Sequence, residues 1–170
     1  MGPAGLDGVE RLLHLPVRPM KTNRTRSYWL LVVRYGPSLA RVSPGGISPL
    51  SPAICPLMWY ESVNRTWVGH RIADINYGHT LQLIDFNHDG NLDVFCAEQR
   101  LDGANPDSKI YLFLGDGKGN FTPTVVARGY DSHESKVADL DGNGTLDLLI
   151  KPYNWQTPPL DIFRNMGPTR

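Results

Sequence analysis

Asp85-Phe86-Asn87-His88-Asp89-Gly90-Asn91-Leu92-Asp93 is the stretch around which the rest of the chain is arranged. It returns 54 residues later as Asp139-Leu140-Asp141-Gly142-Asn143-Gly144-Thr145-Leu146-Asp147. In both copies an Asp or Asn stands at the first, third, fifth and ninth positions, and a glycine at the sixth. Oxygen-bearing side chains at alternate positions, with a glycine to bend the backbone, suit a Ca²⁺ ion, which takes roughly 6–8 hard oxygen ligands in flexible geometry. The pattern predicts a repeat protein whose repeats are pinned by calcium loops.

A chain of 170 residues has room for one domain, or one domain and a tail. Its formal net charge is zero, so no global field draws nucleic acid or an acidic surface. The charge is unevenly spread: residues 11–60 carry seven basic side chains and no acidic one, while Asp is abundant from Asp74 onward. The basic residues of the first part form no cluster and are not interleaved with stacking aromatics, which argues against a nucleic-acid arm. The apolar run at 28–33 is far shorter than the roughly 20 residues that span a membrane. Lys21, Arg24 and Arg26 precede that run as in an export signal, but Arg34 interrupts it and no small-residue cleavage site follows. Cys55 and Cys96 match no metal or redox spacing.

Residues 1–56 show no sustained period and are rich in Arg, Pro, Ser and Gly, so an irregular basic leader is expected there. Within it the residues suggest one short helix over 9–15 and one strand over 29–33. From Leu57 the character changes to short β-forming runs separated by turn residues. Strands are predicted over 57–60, 67–73, 80–85, 92–97, 109–114, 121–127, 134–139, 146–151 and 160–164. Gly115-Asp116-Gly117-Lys118-Gly119-Asn120 reads as a glycine-rich hairpin turn, where φ > 0 is required.

The 54-residue shift extends beyond the loops, placing His79 on His133, Leu83 on Val137 and Leu92-Asp93-Val94 on Leu146-Asp147-Leu148. A repeat of this length with four short strands predicts a propeller blade. The fold expected is all-β: a partial β-propeller of four-stranded antiparallel blades. It comprises a half blade over 57–73, a blade over 80–127 and a blade over 134–165. Closed propellers typically have about 4–8 blades, so the expectation is a fragment, or a chain whose remaining blades come from another chain.

These residues resemble the FG-GAP/VCBS repeats of integrin-α-like β-propellers: an Asp-x-[Asp/Asn]-x-[Asp/Asn]-Gly-x-x-Asp loop, a strand, then Leu114-Gly115-Asp116-Gly117-Lys118-Gly119-Asn120-Phe121. The resemblance covers about 57–165 and not the leader. It implies calcium ligation by Asp85, Asn87, Asp89 and Asp93 with the Asn91 carbonyl. In the second loop it implies Asp139, Asp141, Asn143 and Asp147 with the Thr145 carbonyl. Each loop carries Asn where the family usually has Asp, which lowers the charge of the site and implies affinity toward the roughly 10⁻⁴–10⁻³ M of extracellular modules. An EF-hand or a dockerin is excluded by the twelfth position, which is Cys96 in one loop and Ile150 in the other instead of a bidentate Glu.

The resemblance further implies a calcium-dependent extracellular or periplasmic module that binds protein or carbohydrate surfaces, with the ion in a structural role. The alternative is the propeller portion of a carbohydrate-active lyase or dehydratase. His79 and His133 hold one place in successive repeats, which in a propeller is the mouth of the channel, and with Glu134 they are the catalytic candidates. His88 sits at a non-ligand position and is expected to face solvent. Tyr153 and Trp155 are candidates for stacking on a sugar ring.

Overall fold

The computed structural model describes residues 29–33, 42–43, 46–47, 54–64, 66–100, 105–152 and 160–167. The expected helix over 9–15, the basic segment at 21–26 and the aromatic pair Tyr153 and Trp155 lie outside them. Among the described residues every regular element is a β-strand, and the sheets are antiparallel with two to four strands. The chain divides into two compact units, Met1–Ile75 and Asn76–Arg170.

The first unit contains β1 (Trp29–Val33), β2 (Val42–Ser43), β3 (Gly46–Ile47), β4 (Ile54–Val63) and almost all of β5 (Thr66–Asn76). β1 falls on the strand expected at 29–33 and pairs with β4 from Trp29↔Glu61 to Val33↔Leu57, giving a sheet of order β1-β4-β5. β2 and β3 form a two-residue ladder inside the Ser-Pro-Gly-rich stretch, which lacks any sequence period. β4 shows the period of two that a half-buried strand requires: Cys55, Leu57 and Trp59 are buried and their neighbours are not. Across the β4–β5 hairpin, Trp59 stacks on His70 with ring centroids 4.0 Å apart, and His70 Nε2 lies 3.6 Å from Glu61 Oε2. The hairpin turns at Asn64, whose φ of 50° is one that asparagine tolerates better than most residues.

The second unit holds a complete four-stranded meander, β6 (Gly78–Ile84), β7 (Asp93–Glu98), β8 (Lys109–Gly115) and β9 (Phe121–Arg128), paired in that order. A three-stranded sheet follows, built from β10 (Lys136–Ala138), β11 (Asp147–Ile150) and β12 (Asp161–Phe163). β10 is shorter than the sequence predicts at both ends: Glu134 has a φ of 60° and the Ser135 N–H donates to Thr80 Oγ1, while Asp139 begins the loop by accepting the N–H groups of Gly142 at 2.8 Å and Gly144 at 3.0 Å.

β7 is buried at all six positions, so neither of its faces meets water. Phe95 and Ala97 point one way and join Ile110 and Leu112 of β8. They meet Val137, Leu148 and Ile150 of the three-stranded sheet in a single core. Each fully buried side chain of this kind contributes about 1.5–3 kcal/mol of hydrophobic stabilisation. The two sheets therefore pack face to face, as consecutive blades do. β9 lies at the outer edge and is mostly exposed, with Val125 and Val126 outside the core.

Polar bonds close the inner edge of the two sheets. Gln82 of β6 pairs with the backbone of Val137 in β10, donating from Nε2 to the carbonyl at 3.1 Å and accepting the N–H on Oε1 at 3.0 Å. Beside it the hydroxyls of Thr80, Ser132 and Ser135 are buried and bonded in a chain, with Ser132 and Ser135 oxygens 2.7 Å apart. At the far end of β7 the buried Glu98 carboxylate accepts the N–H groups of Asn76 and Lys109, each at 2.9 Å. That pairing satisfies a charge that is costly to bury alone.

Candidate metal centre

Both loops join the first strand of a sheet to the second: 85–92 between β6 and β7, and 139–146 between β10 and β11. Each is organised by its two terminal aspartates. The first-position carboxylate accepts backbone N–H groups of the turn: Asp85 takes those of Asp89 and Gly90, and Asp139 those of Gly142, Asn143 and Gly144. The ninth-position carboxylate is buried and reaches both ways. Asp93 accepts the N–H of Phe86 and of Gly115, each at 2.8 Å. Asp147 accepts those of Leu140 at 3.0 Å and Asn165 at 2.7 Å. The same two-handed carboxylate thus ties loop entry to the end of the third strand in both sheets.

Two glycines lie where these ties leave no room for a side chain, one against backbone and one against a side-chain amide. A Cβ on Gly115 would lie 2.2 Å from the Leu92 carbonyl oxygen, and one on Gly117 would lie 2.4 Å from Asn91 Oδ1. Gly117 and Gly119 also have φ of 71° and 95°, which fits the hairpin turn expected at 115–120. Asp116 closes that turn by accepting the N–H groups of Lys118 and Asn120.

In the second loop, carboxylate oxygens of Asp139, Asp141 and Asp147 all lie within 4.8 Å of one another. Among the described residues this is the one such convergence of three His, Cys, Asp or Glu donors. In the first loop Asn87 occupies the third position and its amide donates to Asp89 at 3.0 Å, while Asn91 N–H donates to the other Asp89 oxygen at 2.8 Å. Asn143 and Thr145 of the second loop are drawn toward the chain after β12: Asn143 Nδ2 and Thr145 Oγ1 donate to the Asn165 carbonyl at 3.4 Å and 2.6 Å. The donor set of the second loop, three hard carboxylates with amide and hydroxyl oxygens beside them, fits a divalent cation such as Ca²⁺.

The loop aspartates differ in their electrostatics. Burial pushes the Asp93 carboxyl above its ordinary value, and the charges of Asp89 and Asp85 push it the same way, against the two N–H bonds it accepts. Asp89 is held below the usual range chiefly by the Asn91 N–H. Asp141 is held low chiefly by its hydrogen bond to the Arg164 guanidinium, whose own pKa is raised by the same bond. Arg164 pairs directly with Asp141 and was not among the site residues legible in the sequence.

His88 is exposed, as expected of a non-ligand position, and it also reaches the neighbouring loop: its Nε2 lies 3.0 Å from the Gly144 carbonyl oxygen. No local signal marks that bond, because it depends on how the two sheets stack. His79 and His133 are brought together, with their rings stacked at a centroid distance of 4.1 Å and an interplanar angle of 27°. Both rings are half-buried. Glu134 is exposed, with a φ of 60° that turns the chain beside His133.

Residues 85–150 match the model of the FG-GAP-like repeat. The match begins at the first aspartate of the first loop and ends at the last residue of β11, so it takes in both loops. That stretch of the chain is similar to an FG-GAP-like repeat. No curated protein and no solved structure matches the chain significantly.

Proposed function

We propose that this chain is a calcium-binding, non-enzymatic β-propeller module of FG-GAP-like repeats, of the extracellular or periplasmic space, binding protein or carbohydrate surfaces. The observation that carries the reading is the convergence of Asp139, Asp141 and Asp147 within 4.8 Å, in a loop whose pattern the chain repeats at 85–93. Asp85, Asn87, Asp89, Asp93 and the Asn91 carbonyl would hold an ion in the first loop, and Asp139, Asp141, Asn143, Asp147 and the Thr145 carbonyl in the second. When bound, calcium supplies neutralising charge and fixes the turn. The protein's own groups supply the rest: the buried ninth-position carboxylates hold the loop ends in place, and the glycines let the backbone close.

Extracellular use fits the neutral Asn in each loop, which suits millimolar external calcium. Among the described residues no helix is long and apolar enough to cross a membrane. The zero net charge favours protein or glycan partners over nucleic acid.

The test is a melting curve of the full chain with calcium and with a chelator. Calcium at tenfold its dissociation constant stabilises by about 1.4 kcal/mol per site, so a clear upward shift in Tm is expected. An unchanged Tm together with no heat of binding would falsify the calcium reading. The stacked His79 and His133 favour a second reading, a lyase or dehydratase site at the channel mouth. Replacing both by Gln would then abolish turnover of an acidic oligosaccharide and leave the calcium-dependent Tm shift unchanged.

A further inference from the structure

The two loops are alike in pattern but not in their surroundings. Gly115 follows β8's Leu114 and donates its N–H to Asp93. Asn165 follows Arg164 and donates its N–H to Asp147. These matched bonds place Arg164 at the position that Leu114 holds in the preceding sheet. The first loop thus has an apolar side chain where the second has a cation. Among the described residues no Lys or Arg pairs with Asp85, Asp89 or Asp93, whereas Arg164 pairs with Asp141, one of the three converging carboxylates. Arg164 is mostly exposed, so its guanidinium is free to swing away.

We propose that Arg164 is a built-in counter-ion of the second loop, which competes with an external divalent cation and makes the two loops unequal in affinity. This rests on the calcium reading of the loops. A guanidinium bonded to Asp141 occupies a carboxylate that the ion needs, and a positive charge within a few ångströms repels a second one. The ion must displace Arg164 or bind beside it, and either lowers its apparent affinity. The second loop keeps its shape through Arg164 when calcium is scarce.

The experiment is calorimetric titration of the full chain with calcium chloride, one loop at a time. Asp85→Asn disables the first loop so that the second is read alone, and Asp139→Asn does the reverse. In the Asp85→Asn background, Arg164→Leu, which copies the first sheet, and Arg164→Gln are both expected to tighten calcium binding roughly five- to tenfold at low salt. The gain should shrink as ionic strength rises. Arg164→Gln guards against a folding defect from an added exposed leucine. Affinity unchanged or weakened in both variants overturns the proposal, and weakening would make Arg164 a positioning residue for Asp141. If the Asp139→Asn protein binds calcium and Arg164 substitution leaves the second loop unaltered, the counter-ion idea fails while the calcium reading stands. If no variant binds calcium at either loop, both fail.

Discussion

Gln82 and Val137 exchange two hydrogen bonds, the side-chain amide of one serving the backbone of the other as a neighbouring strand would. The arrangement lets two separate sheets continue a ladder across the gap between them. Both the N–H and the carbonyl of Val137 depend on it, and the Val137 side chain is buried in the shared core. Gln82→Ala is therefore expected to lower the unfolding free energy by about 1–3 kcal/mol, since each lost bond contributes about 0.5–1.5 kcal/mol. Gln82→Asn, one methylene too short to reach, should lose most of the same amount. Urea denaturation reads both, and a loss under about 0.3 kcal/mol would show that the pairing is not a structural joint.

Two glycine substitutions separate close packing from backbone conformation. At Gly115 an added methyl would sit 2.2 Å from the Leu92 carbonyl, a backbone atom that cannot move without breaking the Asp93 tie. Gly115→Ala should destabilise by several kcal/mol, about the cost of overpacking a core together with loss of a buried bond. At Gly142 nothing lies within 4 Å of the added methyl, and only the φ of 73° opposes it. Gly142→Ala should cost about 1 kcal/mol. Equal losses at the two sites in thermal denaturation would contradict this account.

Asp107 gives a pH dependence of known sign. Its carboxyl is held below the ordinary value chiefly by the hydrogen bond to Arg128, with Lys109 adding to it. A depressed carboxylate contributes stability that is present above its unfolded value of 3.8 and is lost as pH falls through the lower folded value. Asp107→Asn is expected to be modestly less stable than the natural chain at pH 7. The difference should close as pH falls through that lower folded value, where the natural carboxylate is protonated too. The pair is exposed, so raising salt should also narrow the gap. A difference that persists at pH 2 would point to packing instead of charge.

The strands of the four-stranded sheet were the most legible, because turn residues bound them. β8 and β9 fall within a residue of their expected ends, since Gly117 and Gly119 announce the turn between them. The loops were legible for the same reason: alternating oxygen side chains and a glycine are a local pattern. Arg164 was not, because it is an ordinary basic residue until the matched bonds of Gly115 and Asn165 align it with Leu114. The two-residue ladder of β2 and β3 left no trace in a Ser-Pro-Gly-rich stretch, where pairing is too short to impose a period.

His79 and His133 show both halves of the matter. Their shared place in the repeat was plain in the sequence, and repetition alone predicted that they would be neighbours. The stack at 4.1 Å, the bond from His88 to Gly144 and the pairing of Gln82 with Val137 come from how one sheet lies on the next. The sequence by itself determined the all-β class, the repeat length and the two oxygen-rich loops, because period, turn residues and ligand spacing are properties of contiguous chain. Only the tertiary structure decided that three carboxylates converge in one loop and that a guanidinium answers one of them. Charges on separate strands interact through distance in space, and no linear pattern encodes that distance.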